Sequence, residues 1–164
     1  VIIRDGDLMS SKETDIADVL TSCVSFLLAK LSQRIVRVMD ESLLELKVNV
    51  RHVAVMAEIH HRGPANQKVI GEALEIDRTS MVGLVDDLEQ LNFVVRVTDP
   101  EDRRAFRVTL TPEGLRVLAA AGGLIKRAES NFLNTLPQGQ KDSFLSILKS
   151  LYQEGRDAKS RKII

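Results

Sequence analysis

The chain has 164 residues, 44% of them hydrophobic, and 23 Lys plus Arg balance 23 Asp plus Glu. That length suits a single compact domain or a core with helical extensions, and the neutral balance excludes a generically polybasic nucleic-acid binder while leaving room for a local basic patch. No run approaches the roughly eighteen uncharged apolar residues of a membrane span, so no membrane partner is expected. The Asp-rich N-terminus lacks a secretory leader and the single cysteine, Cys23, has no internal disulfide partner, which together point to the cytoplasm. Five Phe, one Tyr and no Trp are too few for stacking single-stranded bases.

From about Lys12 to Asp40, Ile16, Val19, Leu20, Cys23, Val24, Leu27, Leu31, Ile35 and Val38 recur at three- and four-residue steps, one apolar stripe on a long helix. Phe26, Leu28 and Ala29 widen the stripe beyond what one partner face needs, so a second subunit is the expected cover. On that stripe Cys23 reads as a buried, inert thiol rather than a redox switch, which would need access and a lowered pKa.

A short helical piece is expected over Glu41 to Leu46. Asn49 then suits the N-cap of a helix to His61 with Val53, Met56, Ala57 and Ile59 inside, ended by Arg62-Gly63-Pro64. His60 and His61 are adjacent and point to different helix faces, so they do not chelate as a pair four apart would. His52 and Arg51 are at most candidates for lining a ligand pocket.

Gln67 to Leu74 reads as a helix burying Val69, Ile70, Ala73 and Leu74, with Glu75-Ile76 as a turn. Asp77 caps a second helix through Gln90 whose inner face is Met81, Val82, Val85, Leu88 and Leu91. Two short helices on a tight connection make a helix-turn-helix. The period then drops to two in Phe93 to Thr98 and again in Ala105 to Leu110, around the polar turn Asp99-Pro100-Glu101-Asp102-Arg103-Arg104, which predicts a hairpin with a charged tip.

Thr111-Pro112-Glu113-Gly114 restarts a helix running to about Asn134, in which Gly122-Gly123 weakens the middle and could kink it. Leu136-Pro137 breaks it. A last helix over Gln138 to Glu154 carries Phe144, Leu145, Ile147, Leu148 and Leu151, and the basic tail from Arg156 to Lys162 is expected to fray.

The expected fold is thus mainly α with a small β-hairpin wing, a winged helix-turn-helix over residues 49–114. Residues 1–48 and 115–164 flank it with helices. In such a module the second helix enters the major groove of double-stranded DNA and the hairpin reaches the minor groove. The outer face of the second helix offers Thr79, Ser80, Gly83, Asp86, Asp87 and Gln90, with Arg78 at its positive N-terminal end. Gln67 and Lys68, opening the preceding helix, are candidate phosphate contacts. Arg103, Arg104 and Arg107 are candidate wing contacts, because arginine is favoured in a narrow minor groove. No G-x-S-x-G, H-E-x-x-H, Walker loop or Rossmann fingerprint is present, so no enzyme, metal or cofactor is expected.

The segments Asp77-Arg-Thr-Ser-Met-Val-Gly-Leu-Val-Asp-Asp-Leu-Glu89, Val94-Val-Arg96, Asp99-Pro-Glu-Asp-Arg-Arg104 and Val108-Thr-Leu-Thr-Pro-Glu-Gly114 resemble the MarR family of transcriptional regulators. The wing signature Asp-x-Arg-x-x-x-Val-x-Leu-Thr falls in register on Asp102, Arg104, Val108, Leu110 and Thr111. The resemblance assigns dimerisation to the helices of residues 1–48 and 115–164. It implies a homodimer binding a pseudo-palindromic operator, mostly as a repressor, released by a small, phenolic or otherwise anionic effector. It assigns Arg103 to the minor groove and Asp102 with Arg104 to bracing the hairpin, roles the two arginines can exchange. Three positions depart from the pattern: Gly83 and Asp87 stand where many members are basic, and Asn92 stands where a glycine is usual. Between Asp77 and Leu110 five arginines face seven acids, which limits counterion release unless those acids turn away from phosphate. The competing expectation is a dimeric winged-helix adaptor that no longer reads DNA, separated from the first by salt-dependent duplex binding.

Overall fold

The computed structural model describes residues 21–102, 104–137 and 139–161, with the side chains of 155–161 left aside. Residues 1–35 and 36–164 form two compact units, taken here in turn.

The described part of the first unit is helical. Thr21 and Ser22 are helical, Cys23 interrupts, and α1 (Val24–Leu43) begins here and continues into the second unit. The expected helix over residues 12–20 lies outside the described residues. Val24, Leu27, Leu28 and Leu31 are exposed, and so is Cys23. In the single chain no described residue of this unit covers that flank or the Cys23 thiol on it. The Cys23 thiol lies 3.0 Å from the Ser25 hydroxyl, and that hydrogen bond holds its pKa below the ordinary thiol value.

In the second unit α1 runs on to Leu43 and tightens into a 3-10 turn, Leu44–Leu46, so the expected separate piece from Glu41 is absorbed into one continuous helix. Lys47 closes it in the left-handed region, at φ 57°. Helix α2 (Val50–Arg62) starts on a capping box: the Asn49 side chain accepts from the His52 backbone N–H, and His52 Nδ1 accepts from the Asn49 N–H. Asp40 ties this start back to α1 by accepting from the Val50 N–H at 2.7 Å. Val55 is fully buried and Ala57 exposed, the reverse of the expectation for Ala57, because the buried stripe follows Val53, Met56 and Ile59 with Val55 at its edge.

Asn66 caps α3 (Gln67–Leu74) and Glu75 ends it at φ 54°. Asp77 caps α4 (Arg78–Gln90). Helix α3 buries Ile70 and Gly71, while Val69 and Ala73 are exposed, contrary to expectation. Helix α4 buries Met81, Leu84, Val85 and Leu88, whereas Val82, expected inside, is 40% exposed. Both corrections have one cause. These helices are covered on one side only, so the buried arc narrows to the residues that meet α2 and the hairpin, and flanking valines are left outside.

Asn92 supplies the left-handed turn after α4, at φ 59°. Strands β1 (Val94–Thr98) and β2 (Phe106–Leu110) pair antiparallel in the register Val94↔Leu110, Arg96↔Val108 and Thr98↔Phe106. Ala65, just before α3, exchanges both backbone hydrogen bonds with Val108, adding a single-residue third rung that the alternation pattern did not predict. Val94 and Val108 are fully buried and join the helices' core.

Thr111 caps α5 (Pro112–Phe132), which passes unbroken through Gly122-Gly123 before a 3-10 turn, Leu133–Thr135. The helix is continuous across the glycine pair, and Ala121 immediately before it is fully buried. Helix α6 (Gln140–Arg161) runs past the expected end at Glu154, since no proline stops it, and the expected fraying from Arg156 is replaced by helix to Arg161. Gln138 lies outside the described residues.

Candidate nucleic-acid interface

Four elements meet at one side of the second unit: the start of α3, α4, and the two strands. Between them lies an open groove of about 1030 Å³. Gln67 and Lys68 reach it from the first turn of α3, Arg78 from the start of α4 and Arg104 from the hairpin turn, four of the ten residues expected to contact DNA. The Asn66 side chain accepts from the Lys68 N–H and the Asp77 side chain from the Ser80 N–H, both at 2.9 Å, so each helix start is fixed by its own cap. The bond from Ser80 holds the Asp77 carboxyl below its ordinary pKa. The Gln67 amide nitrogen is buried without a hydrogen-bond partner.

Thr79, Gly83 and Gln90 lie on the exposed side of α4 and Ser80 at its edge. Among the described residues a Cβ added to Gly83 would meet nothing within 4 Å, so that side is open there. Arg103 lies outside the described residues.

The acids of this region are largely committed to partners. The Arg96 guanidinium on β1 donates to Asp86 and Glu89 of α4, and its backbone N–H donates to Glu89 at 3.2 Å. Burial disfavours the charge on Arg96, but the Asp86 bond and the two carboxylates outweigh it and raise its pKa. Asp87 lies 3.4 Å from Nε2 of His52 on α2, without the alignment of a hydrogen bond. His52 itself is 8% exposed.

In the wing, Arg107 Nε donates to Asp99 at 2.7 Å and its other arm lies 3.6 Å from Glu101. The Asp99 carboxyl is held low by that bond and by the Glu101 N–H. Arg107 thus sits in a side-chain brace that the residue pattern did not signal. Asp102 accepts from the Arg104 backbone N–H at 2.9 Å, leaving the Arg104 side chain exposed toward the groove. Sequence reasoning also passed over Arg96. Its one signal was a charged residue inside a valine strand, on the same strand face as Val94.

His60 and His61 are exposed, and no group of three metal-ligating residues occurs among the described residues. No described helix is long and apolar enough to cross a membrane.

Two helices on a tight turn, followed by a hairpin and flanked by long helices, define a winged helix. Residues 48–106 match the family described as MarR family. Over that segment the chain is similar to the MarR family, and the relatives it matches are described as transcriptional regulators. It is 32% identical over 89 residues to a putative transcriptional regulatory protein for the hcr operon of Thauera aromatica, a match covering 54% of each protein, about half that relative's length. With the HTH-type transcriptional repressor NicR of Pseudomonas putida it shares 23% identity across 85% of this chain and 88% of that one. The transcriptional repressor CouR bound to a 23-mer DNA duplex is 25% identical, with a TM-score of 0.74 over 81% of this chain and 94% of CouR.

Proposed function

We infer that this protein is a transcriptional repressor that binds a pseudo-palindromic operator in double-stranded DNA as a homodimer and is released by a small, phenolic or otherwise anionic effector. Residues 49–114 form the DNA-binding module, and 1–48 with 115–164 supply the dimer helices. The observation that carries the reading is the convergence of Gln67, Lys68, Arg78 and Arg104 on one groove between the helix-turn-helix and the hairpin. Two capped helix starts open toward it, and each favours phosphate. Thr79, Ser80, Gly83 and Gln90 face the major groove; Arg103, Arg104 and Arg107 serve the wing. Pairing of Asp86 and Glu89 with Arg96 lowers the repulsion that the count of acids suggested.

Dimerisation is supported by apolar side chains left open on α1 and, separately, on α6, where Ile147, Leu151 and Tyr152 are exposed. Two half-sites must be met at once, so an effector that changes the spacing of the two α4 helices lowers affinity sharply. The operator and effector classes follow the family resemblance.

The test is selection from random duplexes at moderate salt, with Arg103→Ala as the paired variant. An inverted repeat enriched by the wild type and lost in the variant supports the reading. An intact dimer that enriches nothing at any salt refutes it in favour of the adaptor. Deleting the residues before Ser25 is expected to break the dimer, and a truncated form that still sediments as a dimer removes the α1 contact.

A further inference from the structure

Val82 is the residue that the structure turns out of the core and into the groove. It lies one turn beyond Arg78 on the same flank of α4, a spacing that places the two side chains side by side. Across the groove stands Phe106, the first residue of β2, itself 55% exposed. The pair forms an apolar strip inside a groove whose rim carries Lys68, Arg78 and Arg104. Asp77, Glu72 and Glu75 also line it; Asp77 caps α4, and Glu72 lies 3.8 Å from Lys68.

Large apolar side chains exposed beside cations call for an external partner with an apolar spot set in an anionic surface. In duplex DNA the major-groove feature of that kind is the 5-methyl group of thymine, flanked by backbone phosphates. A second observation points the same way. Gly83, adjacent to Val82, carries no side chain and has open space where a Cβ would stand, so nothing on the centre of the helix keeps a base edge away from its neighbour. Glycine there costs helix stability relative to alanine, and no intramolecular contact at that position compensates.

We propose that Val82 is a specificity-determining residue that reads the 5-methyl group of a thymine in each operator half-site, with Phe106 packing against the adjacent sugar. The proposal rests on the DNA-binding reading above and names the base chemistry which that reading left open.

The experiment uses the full chain and the selected operator, with each thymine replaced singly by deoxyuridine. Removing one methyl from an apolar contact costs about fourfold in affinity. The wild type is expected to show that loss at one thymine per half-site. Val82→Ala is expected to bind the thymine and deoxyuridine forms of that position equally, with an unchanged thermal midpoint because Val82 is outside the core. Val82→Thr, which keeps one methyl in the same shape, is expected to retain part of the discrimination. A wild type that binds its operator tightly but ignores every deoxyuridine substitution overturns the proposal and leaves the DNA reading standing. So does a methyl penalty identical in wild type and Val82→Ala. A wild type that binds no duplex overturns both.

Discussion

Arg96 on β1 and Asp86 on α4 are joined guanidinium to carboxylate, and the same guanidinium also holds Glu89 three residues further along α4. One side chain therefore ties β1 of the wing to α4 and offsets two negative charges on that helix. Arg96→Gln is expected to lower unfolding free energy by about 1.5–3 kcal/mol, the range for hydrogen bonds to charged groups. It is also expected to weaken operator binding. Adding Asp86→Asn and Glu89→Gln to it removes the exposed charges, so affinity is expected to recover further than stability. Urea unfolding and mobility-shift titration read the two separately, and unchanged affinity in the single variant rules out the electrostatic role.

Asp99 and Arg107 give the wing a pH signature. The Asp99 carboxyl is held below its ordinary pKa of about 3.9, first by the Arg107 hydrogen bond and then by the Glu101 N–H. A depressed folded pKa stabilises the wing fully above the ordinary value, and that contribution is lost as pH falls through the depressed one. Wing stability from this pair is thus flat around neutrality and declines only in acid. In a carboxyl carbon-13 titration Arg107→Gln is expected to move the Asp99 midpoint upward; a midpoint that stays put removes Arg107 as the cause.

Gly114 and Gly122 predict opposite outcomes within α5. A Cβ at Gly114 would sit 2.0 Å from the Phe93 carbonyl oxygen, which already accepts from the Thr111 N–H at 3.0 Å. Gly114→Ala must push the hairpin off the helix start, at a cost of about 1–3 kcal/mol or more. Among the described residues nothing stands within 4 Å of a Cβ at Gly122, whose geometry is ordinary helix, so Gly122→Ala is expected to stabilise by about 0.5–1 kcal/mol. Thermal unfolding of both variants checks the pair, and destabilisation by Gly122→Ala would mean that a neighbouring chain occupies the space.

Asn49→Ala removes the side-chain half of the α2 capping box and is expected to cost about 1 kcal/mol. It leaves the His52 backbone N–H without its acceptor at the junction of α1 and α2. Chemical denaturation measures it, and a change near zero means that water replaces the cap without loss.

The element order was legible from residues 49 to 114 because each boundary carries its own local chemistry. Asn49, Asn66, Asp77 and Thr111 each accept the backbone bond that starts a helix, and Gly63 and Asn92 take the left-handed turns that end two of them. The change from helical to alternating period located the hairpin to within a residue at each start. None of these features requires knowledge of what packs above or below.

What failed in the sequence reading depended on neighbours from distant parts of the chain. Periodicity gives the direction of an apolar stripe but not the width of the surface that covers it, so Val69, Ala73 and Val82 were placed inside and Val55 and Leu84 were overlooked. Ion pairs are decided in the same way. Arg96 meets Asp86 and Glu89, and Arg107 meets Asp99, only because the hairpin register and its seat on α4 bring those positions together. The sequence by itself determined where the helices and strands begin, through caps and turns that act within a few residues. Which flank of α4 stays open and which charges remain along the groove depend on the packed chain, because burial and charge pairing are contacts between segments that the chain order does not place side by side.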